Sequence, residues 1–446
     1  SKKLFRKFKI NYLMKRAIYW FRKNLRLNDN PSLAEVIKNY DEIIFIYIKN
    51  ESFYNPLKHD ENTIGEFRKK FLDESIINLE KNLKKISVRL YIFDGDLIEI
   101  FTEINKNFKS NIVFATKEVG WYEESEEKIL RENGFDLRLY EDQNLFELEK
   151  LPYDIEELPL IFTHFRKKVE KNVTIRNIEN YEIPSYPIKE FNFKKLVNVE
   201  HPKTILSNKS AYPFIGGEDG GMKRLNSYLW ETNNVENYKE TRNGLVGTEY
   251  SSKFSAYLSL GCISPVQVYQ EVKKYEKEVK KNSSTYWIVF ELLWREFFRY
   301  VYLKAENKIF LKNGINGNIF SKNFNNNIDV FTAWKNGQTG QDFIDANMIE
   351  LKKTGFMSNR GRQNVASYLI NDLDINWVWG ASHFEKYLID YDVTSNWCNW
   401  MYMAGVGNNT RNWVFNPERQ SDMYDKDGLF RSNWLSIKKG QQNIMF

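Results

Sequence analysis

The stretch 355–402 gathers Asn359, Arg362, Gln363, Asp390, Asp392, Asn396 and Trp400 among dense aromatic residues. Amides, a guanidinium and carboxylates set among rings are the groups that can hold an aromatic cofactor away from water, because each polar group needs a partner once buried and a ligand can supply it. Asn359, Arg362 and Gln363 share one helix face by their spacing. Arg362 is then placed to neutralise Asp390 or Asp392, so that a buried carboxylate stays ionised. Asp392, followed by VTSN, has a simpler role open to it as the N-cap of a helix. The residues by themselves leave both roles open.

Two further segments carry chemistry. Ser251, Ser252, Lys253, Phe254 and Ser255 lie between a turn at Asn243 and Gly244 and an apolar helix-like run at 256–260. Hydroxyls, backbone N–H groups and a lysine ahead of a helix either cap it or cradle a phosphate. In a helix-like segment at 285–302, Trp287, Glu291, Trp294, Arg295 and Phe298 lie on or near one face. A carboxylate among aromatics is expensive to bury unpaired. The spacing predicts an i,i+4 pair between Glu291 and Arg295; the functional alternative has Glu291 accepting hydrogen bonds from a ligand while Trp294 stacks on it. Arg242, Arg360 and Arg411 lie near these elements. At a cavity mouth they would hold the phosphates of a single strand while aromatics receive a base; otherwise they are solvated surface arginines.

These groups need a scaffold, and the chain supplies two kinds. Residues 17–140 alternate short apolar runs, at 17–21, 43–48, 88–93, 111–115 and 137–140, with amphipathic stretches at 31–40, 61–85, 97–108 and 123–133. That is the pattern of a parallel α/β sheet. No GxGxxG follows the first strand and no GxxxxGK[ST] occurs, so this part has no nucleotide-binding fingerprint. Six of the ten prolines fall between Pro152 and Pro213, a partly helical connector, and ten of the twelve tryptophans lie beyond residue 220 in long helical patterns. The fold class expected is an N-terminal α/β parallel-sheet domain at 14–140, a connector at 141–215 and a large all-α C-terminal domain at 216–446.

Composition narrows the function classes. Lys and Arg total 65 against 59 Asp and Glu, and a net charge of +6 over 446 residues is too small to identify a nucleic-acid binder by itself. Cys262, Cys398 and four histidines offer neither a disulfide framework nor metal-ligand spacing. Apolar runs such as 43–48 are strand-sized and far short of a membrane span. The chain reads as soluble, cytoplasmic and monomeric, with a Lys-rich, solvated extension at 1–13.

YWFRKNLRLNDN at 19–30, YKETRNG at 238–244, SSKFS at 251–255, ELLWREF at 291–297, GFMSNRGRQN at 355–364 and DYDVTSNWCNWMY at 390–402 together resemble the photolyase/cryptochrome flavoproteins, in particular the cryptochrome DASH branch. The motifs span nearly the whole chain in the family's order. The resemblance implies an N-terminal antenna domain and a helical domain that binds FAD in a folded form. Carried over, it puts Tyr238, Ser251, Ser252, Lys253, Phe254, Ser255 and Arg295 on the FAD diphosphate and its flanks. Asn359, Arg362, Asp390, Asp392 and Asn396 then surround the flavin. Glu291, Trp294, Asn359, Gln363, Asn396 and Tyr402 become the catalytic set around a cyclobutane pyrimidine dimer.

What the resemblance implies about activity is blue-light-driven repair of such dimers, preferentially in single-stranded DNA, by electron transfer from excited reduced flavin. The alternative is a blue-light signalling flavoprotein without repair. For photoreduction, Trp400 and Trp377 match the first two members of the family's tryptophan chain, whereas Phe324 stands at the third, so slower photoreduction is expected unless Trp379, Trp397 or Trp413 offers another exit. Cys398 and Trp413 stand where Gly and Arg are usual in the DASH branch. A methenyltetrahydrofolate antenna is also raised by the resemblance; Trp121, where a smaller residue is common, leaves its presence open.

Overall fold

The computed structural model describes residues 14–49, 64–186, 190–315, 324–409 and 413–435. The basic extension at 1–13 and Arg411 lie outside these. Five strands, β1 (Arg16–Phe21), β2 (Glu42–Lys49), β3 (Leu90–Asp94), β4 (Ile112–Thr116) and β5 (Asp136–Tyr140), form one parallel sheet in the order β3-β2-β1-β4-β5. All five expected strands are present, with ends shifted by a residue or two. β1 and β2 are buried along almost their whole length, as parallel strands covered on both faces must be. Ala17, Tyr19 and Phe21 point to the face covered by helices α1 (Pro31–Asn39) and α2 (Glu66–Lys85), while Ile18 and Trp20 point to the face covered by α3 (Leu97–Phe108) and α4 (Trp121–Glu132).

The two apolar layers differ in reach. The α3/α4 layer is a closed satellite core, but the α1/α2 layer runs without a break into the helical half. The connector carries α5 (Phe162–Asn172), and further on it lies along the outer edge of β3, where Val197 N–H donates to Ile92 O at 2.9 Å and Asp94 N–H to Lys195 O at 3.1 Å. That contact covers an edge strand that would otherwise present unpaired backbone groups.

The helical half contains α6 (Glu218–Asn226), α7 (Tyr238–Thr241), α8 (Phe254–Ser259), α9 (Pro265–Glu278), α10 (Ser283–Ala305), α11 (Ile328–Asn336), α12 (Asp342–Thr354), α13 (Asn359–Asn371), α14 (Trp377–Tyr387), α15 (Val393–Ala404), α16 (Pro417–Tyr424) and α17 (Leu429–Leu435). The longest, α10, starts from a capping box made by Asn282 and Thr285. Its aromatic residues take up the connector, with Trp294 stacked on Phe162 at 3.7 Å between ring centroids.

The loop after β1 joins the two halves. Arg26 is fully buried and donates to Asp29 O at 2.8 Å, Asp142 O at 2.7 Å and Gly261 O at 3.0 Å. Leu25 N–H donates to Leu260 O at 3.1 Å, and the Glu218 carboxylate accepts from the N–H groups of Leu27 and Asn28. The motif at 19–30 therefore serves chiefly as docking machinery between domains. At the contact, Gly261 has φ +63°, and a Cβ there would lie 2.0 Å from Lys23 O. Gly261→Ala should lower stability by ~2 kcal/mol or more. Gly247→Ala is the control, since Gly247 also has positive φ but an added Cβ meets nothing within 4 Å. Thermal melts of the two variants should separate, with Gly261→Ala the lower; equal shifts would show that the close approach does not matter.

Candidate functional site

A cavity of about 1130 Å³, its open mouth included, lies inside the helical half. Its walls come from α7, the 251–253 loop with α8, one face of α10, the turn into α13 and the loop into α15. They bring together Tyr238, Ser251, Ser252, Lys253, Phe254, Ser255, Arg295, Asn359, Arg362, Asp390 and Asp392. Ile288, Glu291, Leu292 and Arg295 line it from α10 at the three-and-four spacing of one helix face. Gly355, at φ +69°, ends α12 in the left-handed region and turns the chain toward α13, whose N-cap Ser358 accepts from Gly361 N–H at 3.0 Å. Asp392 caps α15, accepting from Ser395 N–H at 2.8 Å, so the capping role and a place in the cavity wall hold at once.

The charges are placed by a small network. Arg362 Nη2 donates to both Asp390 oxygens at 3.0 and 2.8 Å, its Nε donates to Met357 O at 2.9 Å, and Ser255 Oγ donates to Asp390 Oδ2 at 2.7 Å. Of the two carboxylates open to Arg362, Asp390 is the partner. Burial pushes the Asp392 carboxyl up, but Arg295, its bonds with Ser395 and Lys23 hold it below the usual range. Helix α8 has no side-chain cap: Lys253 stands at its N-cap in the left-handed region, buried, with Nζ donating to Ser251 Oγ at 2.8 Å and lying 3.1 Å from the Tyr250 ring centroid. Burial, aided by Arg224, drives the Lys253 ammonium well below its ordinary pKa. Burial also lifts Glu350 to about 8 against the pull of Lys253 and Arg362, and Glu350 Oε2 has no hydrogen-bond partner.

This donor set fits the cofactor that the resemblance implies. A buried ammonium, two serine hydroxyls and uncapped helical N–H groups suit a diphosphate, and the Arg362–Asp390 pair with Asp392 offers donors and acceptors to a polar ring edge. Glu350, Tyr250, Phe356 and Met357 were missed by sequence reasoning. Glu350 lies in an ordinary amphipathic helix pattern, where nothing local distinguishes it from a solvated charge.

Other expected groups sit beside the cavity. The Glu291–Arg295 pair is not formed. Glu291 accepts from Arg242 Nη1 at 2.8 Å and Trp287 Nε1 at 3.2 Å, whereas Arg295 Nη1 donates to Gln143 O at 2.7 Å. Arg295 reaches instead to the start of the connector, where Gln143 O accepts from it; helix spacing alone cannot reveal that acceptor. Burial raises the Glu291 carboxyl, with Arg242 and Trp287 opposing. Trp294, Gln363, Asn396 and Tyr402 are not among the lining residues. Trp294 meets Tyr402 edge-on at 6.1 Å, Tyr402 stacks on Trp413 at 6.0 Å, Gln363 Oε1 is buried without a hydrogen-bond partner, and Asn396 Nδ2 donates to Ala381 O at 3.0 Å. Arg242 lines the cavity, while Arg360 donates to Asn243 Oδ1 at 3.2 Å and lies over the Tyr424 ring.

Two outcomes test this network. Asp390→Ala leaves Arg362 without its partner, which should cost about 3 kcal/mol and strip the flavin during gel filtration; absorbance of the eluted protein and a thermal melt read both. The Glu350 carboxyl, at 4.5 in its unperturbed state and about 8 when folded, binds a proton more tightly in the folded chain. The stability it contributes is therefore whole below the unfolded value and is lost as pH rises through the folded one. In flavin-free protein, Glu350→Gln should gain in Tm relative to wild type between about pH 5 and about pH 8.5; a constant difference would contradict the assignment.

Comparison with known proteins now places the chain. Residues 17–185 match the DNA photolyase family model, and residues 287–443 match that of the FAD binding domain of DNA photolyase. The chain is 41% identical over 431 residues to the cryptochrome DASH of Synechocystis sp., covering 94% of this chain and 87% of that protein. It is 39% identical over 436 residues to the cryptochrome DASH of Danio rerio, covering 95% and 84%. The crystal structure of the Synechocystis sp. PCC6803 cryptochrome superposes with a TM-score of 0.89 at 39% identity, covering 96% of this chain and 89% of that one. None of the described helices is long and apolar enough to cross a membrane. With a parallel-sheet domain docked on a helical domain whose cavity is lined by hydroxyl, ammonium, guanidinium and carboxylate groups, the chain belongs to the photolyase/cryptochrome family, in its cryptochrome DASH branch, and its cofactor is FAD.

Proposed function

We propose that this protein repairs cyclobutane pyrimidine dimers in DNA under blue light, preferentially in single strands. The observation that carries the reading is Glu291, a carboxylate on the cavity wall whose side chain is 36% exposed and which is held by Arg242 and Trp287. A diphosphate-bearing cofactor has no use for a negative charge there. A carboxylate held at a cavity mouth suits the N–H groups of pyrimidines, and Arg242 beside it suits a phosphate.

FAD, when bound and reduced, supplies on excitation the electron that opens the cyclobutane ring. The residues of this chain perform the remaining tasks. Lys253, Ser251, Ser252 and Ser255 hold the diphosphate and its flanks; Arg362 and Asp390 orient the ring system beside Asn359 and Asn396. Trp294 and Tyr402 offer flat apolar surfaces against which extruded bases can rest. Extrusion from a duplex costs a few kcal/mol and least from a strand already single, which supports the single-strand preference.

The test uses purified, chemically reduced holoprotein with a thymine-dimer oligonucleotide, single-stranded and duplex, illuminated and dark. Repair is expected in the illuminated single strand, weaker in duplex and absent in the dark. Absence of repair on both substrates with FAD bound would overturn the reading in favour of light signalling.

A further inference from the structure

Among the described residues, Trp377 has an aromatic neighbour that the tryptophan count alone does not give. Trp400 packs into a notch of α14: a Cβ on Gly380 would lie 2.3 Å from Trp400 Cη2. Trp377 stands on the same helix one turn earlier, fully buried, its Nε1 donating to Lys312 O at 2.9 Å. Phe324, at the position that the family resemblance gives to the third tryptophan, carries a phenyl ring, which is too hard to oxidise to take a positive hole from an indole; the Lys312 ammonium lies 5.2 Å from its centroid.

On another side Trp377 meets Trp397 edge-on, with centroids 6.0 Å apart. Trp397 Nε1 lies 3.3 Å from both the Tyr391 hydroxyl and Glu385 Oε2. The Tyr391 hydroxyl is itself bonded to the Glu385 carboxylate. Tyr391 lines a second cavity, between the sheet domain and the helical half, together with Arg68, Trp20 and Tyr47. Arg68 lies 4.5 Å from the Tyr391 ring centroid.

The geometry points to Trp397 and Tyr391 as the exit of the photoreduction path, with Glu385 as the proton acceptor and the interdomain cleft as the place where a soluble one-electron reductant, such as a thiol, refills it. An electron that leaves Trp400 for the photoexcited flavin leaves a hole, which passes to Trp377 and then to Trp397. Tyr391 gives an electron to Trp397 and its phenolic proton to Glu385, forming a neutral tyrosyl radical. The cationic Arg68 over the ring disfavours a charged tyrosine radical, so loss of the proton is a requirement of the step, and the adjacent carboxylate meets it. The external reductant then returns one electron to Tyr391, and the proton returns from Glu385. Trp397, Tyr391 and Glu385 relay charge and are not among the residues that line the flavin cavity.

This inference rests on bound FAD and on Trp400 as the first donor, and its test is separable from repair because chemically reduced protein needs no photoreduction. Transient absorption and electron paramagnetic resonance on oxidised, FAD-loaded protein would be compared for wild type, Trp397→Phe, Tyr391→Phe and Trp379→Phe. Trp397→Phe should slow photoreduction by thiol about tenfold or more, on the scale set by losing one obligatory step. Tyr391→Phe should abolish the neutral tyrosyl signal and leave a tryptophan radical that recombines. Phe324→Trp added to Trp397→Phe should restore photoreduction, showing that the single variant is folded. An unchanged tyrosyl signal in Tyr391→Phe, or loss of photoreduction in Trp379→Phe but not in Trp397→Phe, would overturn the proposal. Repair by chemically reduced Trp397→Phe should match wild type.

Discussion

The pairing of Arg362 with Asp390 is the constraint around which the site is assembled. Asp390 is on the loop into α15, Arg362 is on α13, and Ser255, which also donates to Asp390, is on α8. Three walls of the cavity meet on one carboxylate whose side chain is only 3% exposed. A buried ion pair adds little net stability over an apolar contact of the same shape, but it tolerates few alternative arrangements. Its value here is geometric. It fixes the distance between α8, with the hydroxyl and ammonium cradle, and α13, with Asn359, before a ligand arrives.

A second constraint is the loop after β1, which lies where strand order reverses between β1 and β4. In open parallel sheets that crevice commonly receives a ligand. In this chain Arg26 and Asp29 are fully buried there, and Asp29 accepts from Arg176 of the connector at 3.0 Å and from Ser264 at the start of α9. Part of the crevice therefore serves as a joint between the two halves.

The sheet was legible because parallel strands buried on both faces read as continuous apolar runs, and 43–48 needs no context to be recognised. The cavity was legible for a different reason: Ser251 to Ser255, Asn359, Arg362, Asp390 and Asp392 are polar residues in segments otherwise rich in apolar ones. Contacts made by a long side chain to a distant backbone atom were not legible. Arg295 was expected to turn to Glu291 four residues away, yet it reaches Gln143 O, and no property of α10 announces that acceptor. Glu350 was hidden by the same logic, since a helix pattern does not reveal that Lys253, nearly a hundred residues earlier, approaches its carboxyl from another element.

The packing of α14 against α15 sets the positions of Asn396, Trp397 and Trp400 together. Along α15, Asn396 and Trp400 are four residues apart and so share a face. They meet Ala381 and Gly380, neighbours on α14. Trp397, one residue on from Asn396, is rotated by about a hundred degrees and meets Trp377 and Glu385 instead. The cap at Asp392 sets the start of α15, and with it the rotational phase of all three residues. A polar group in the cavity wall thereby controls the alignment of the rings behind it, since any shift of the cap would turn Asn396, Trp397 and Trp400 together. On the exit proposed above, Phe324 need not carry the hole, because the phase of α15 presents Trp397 to Trp377.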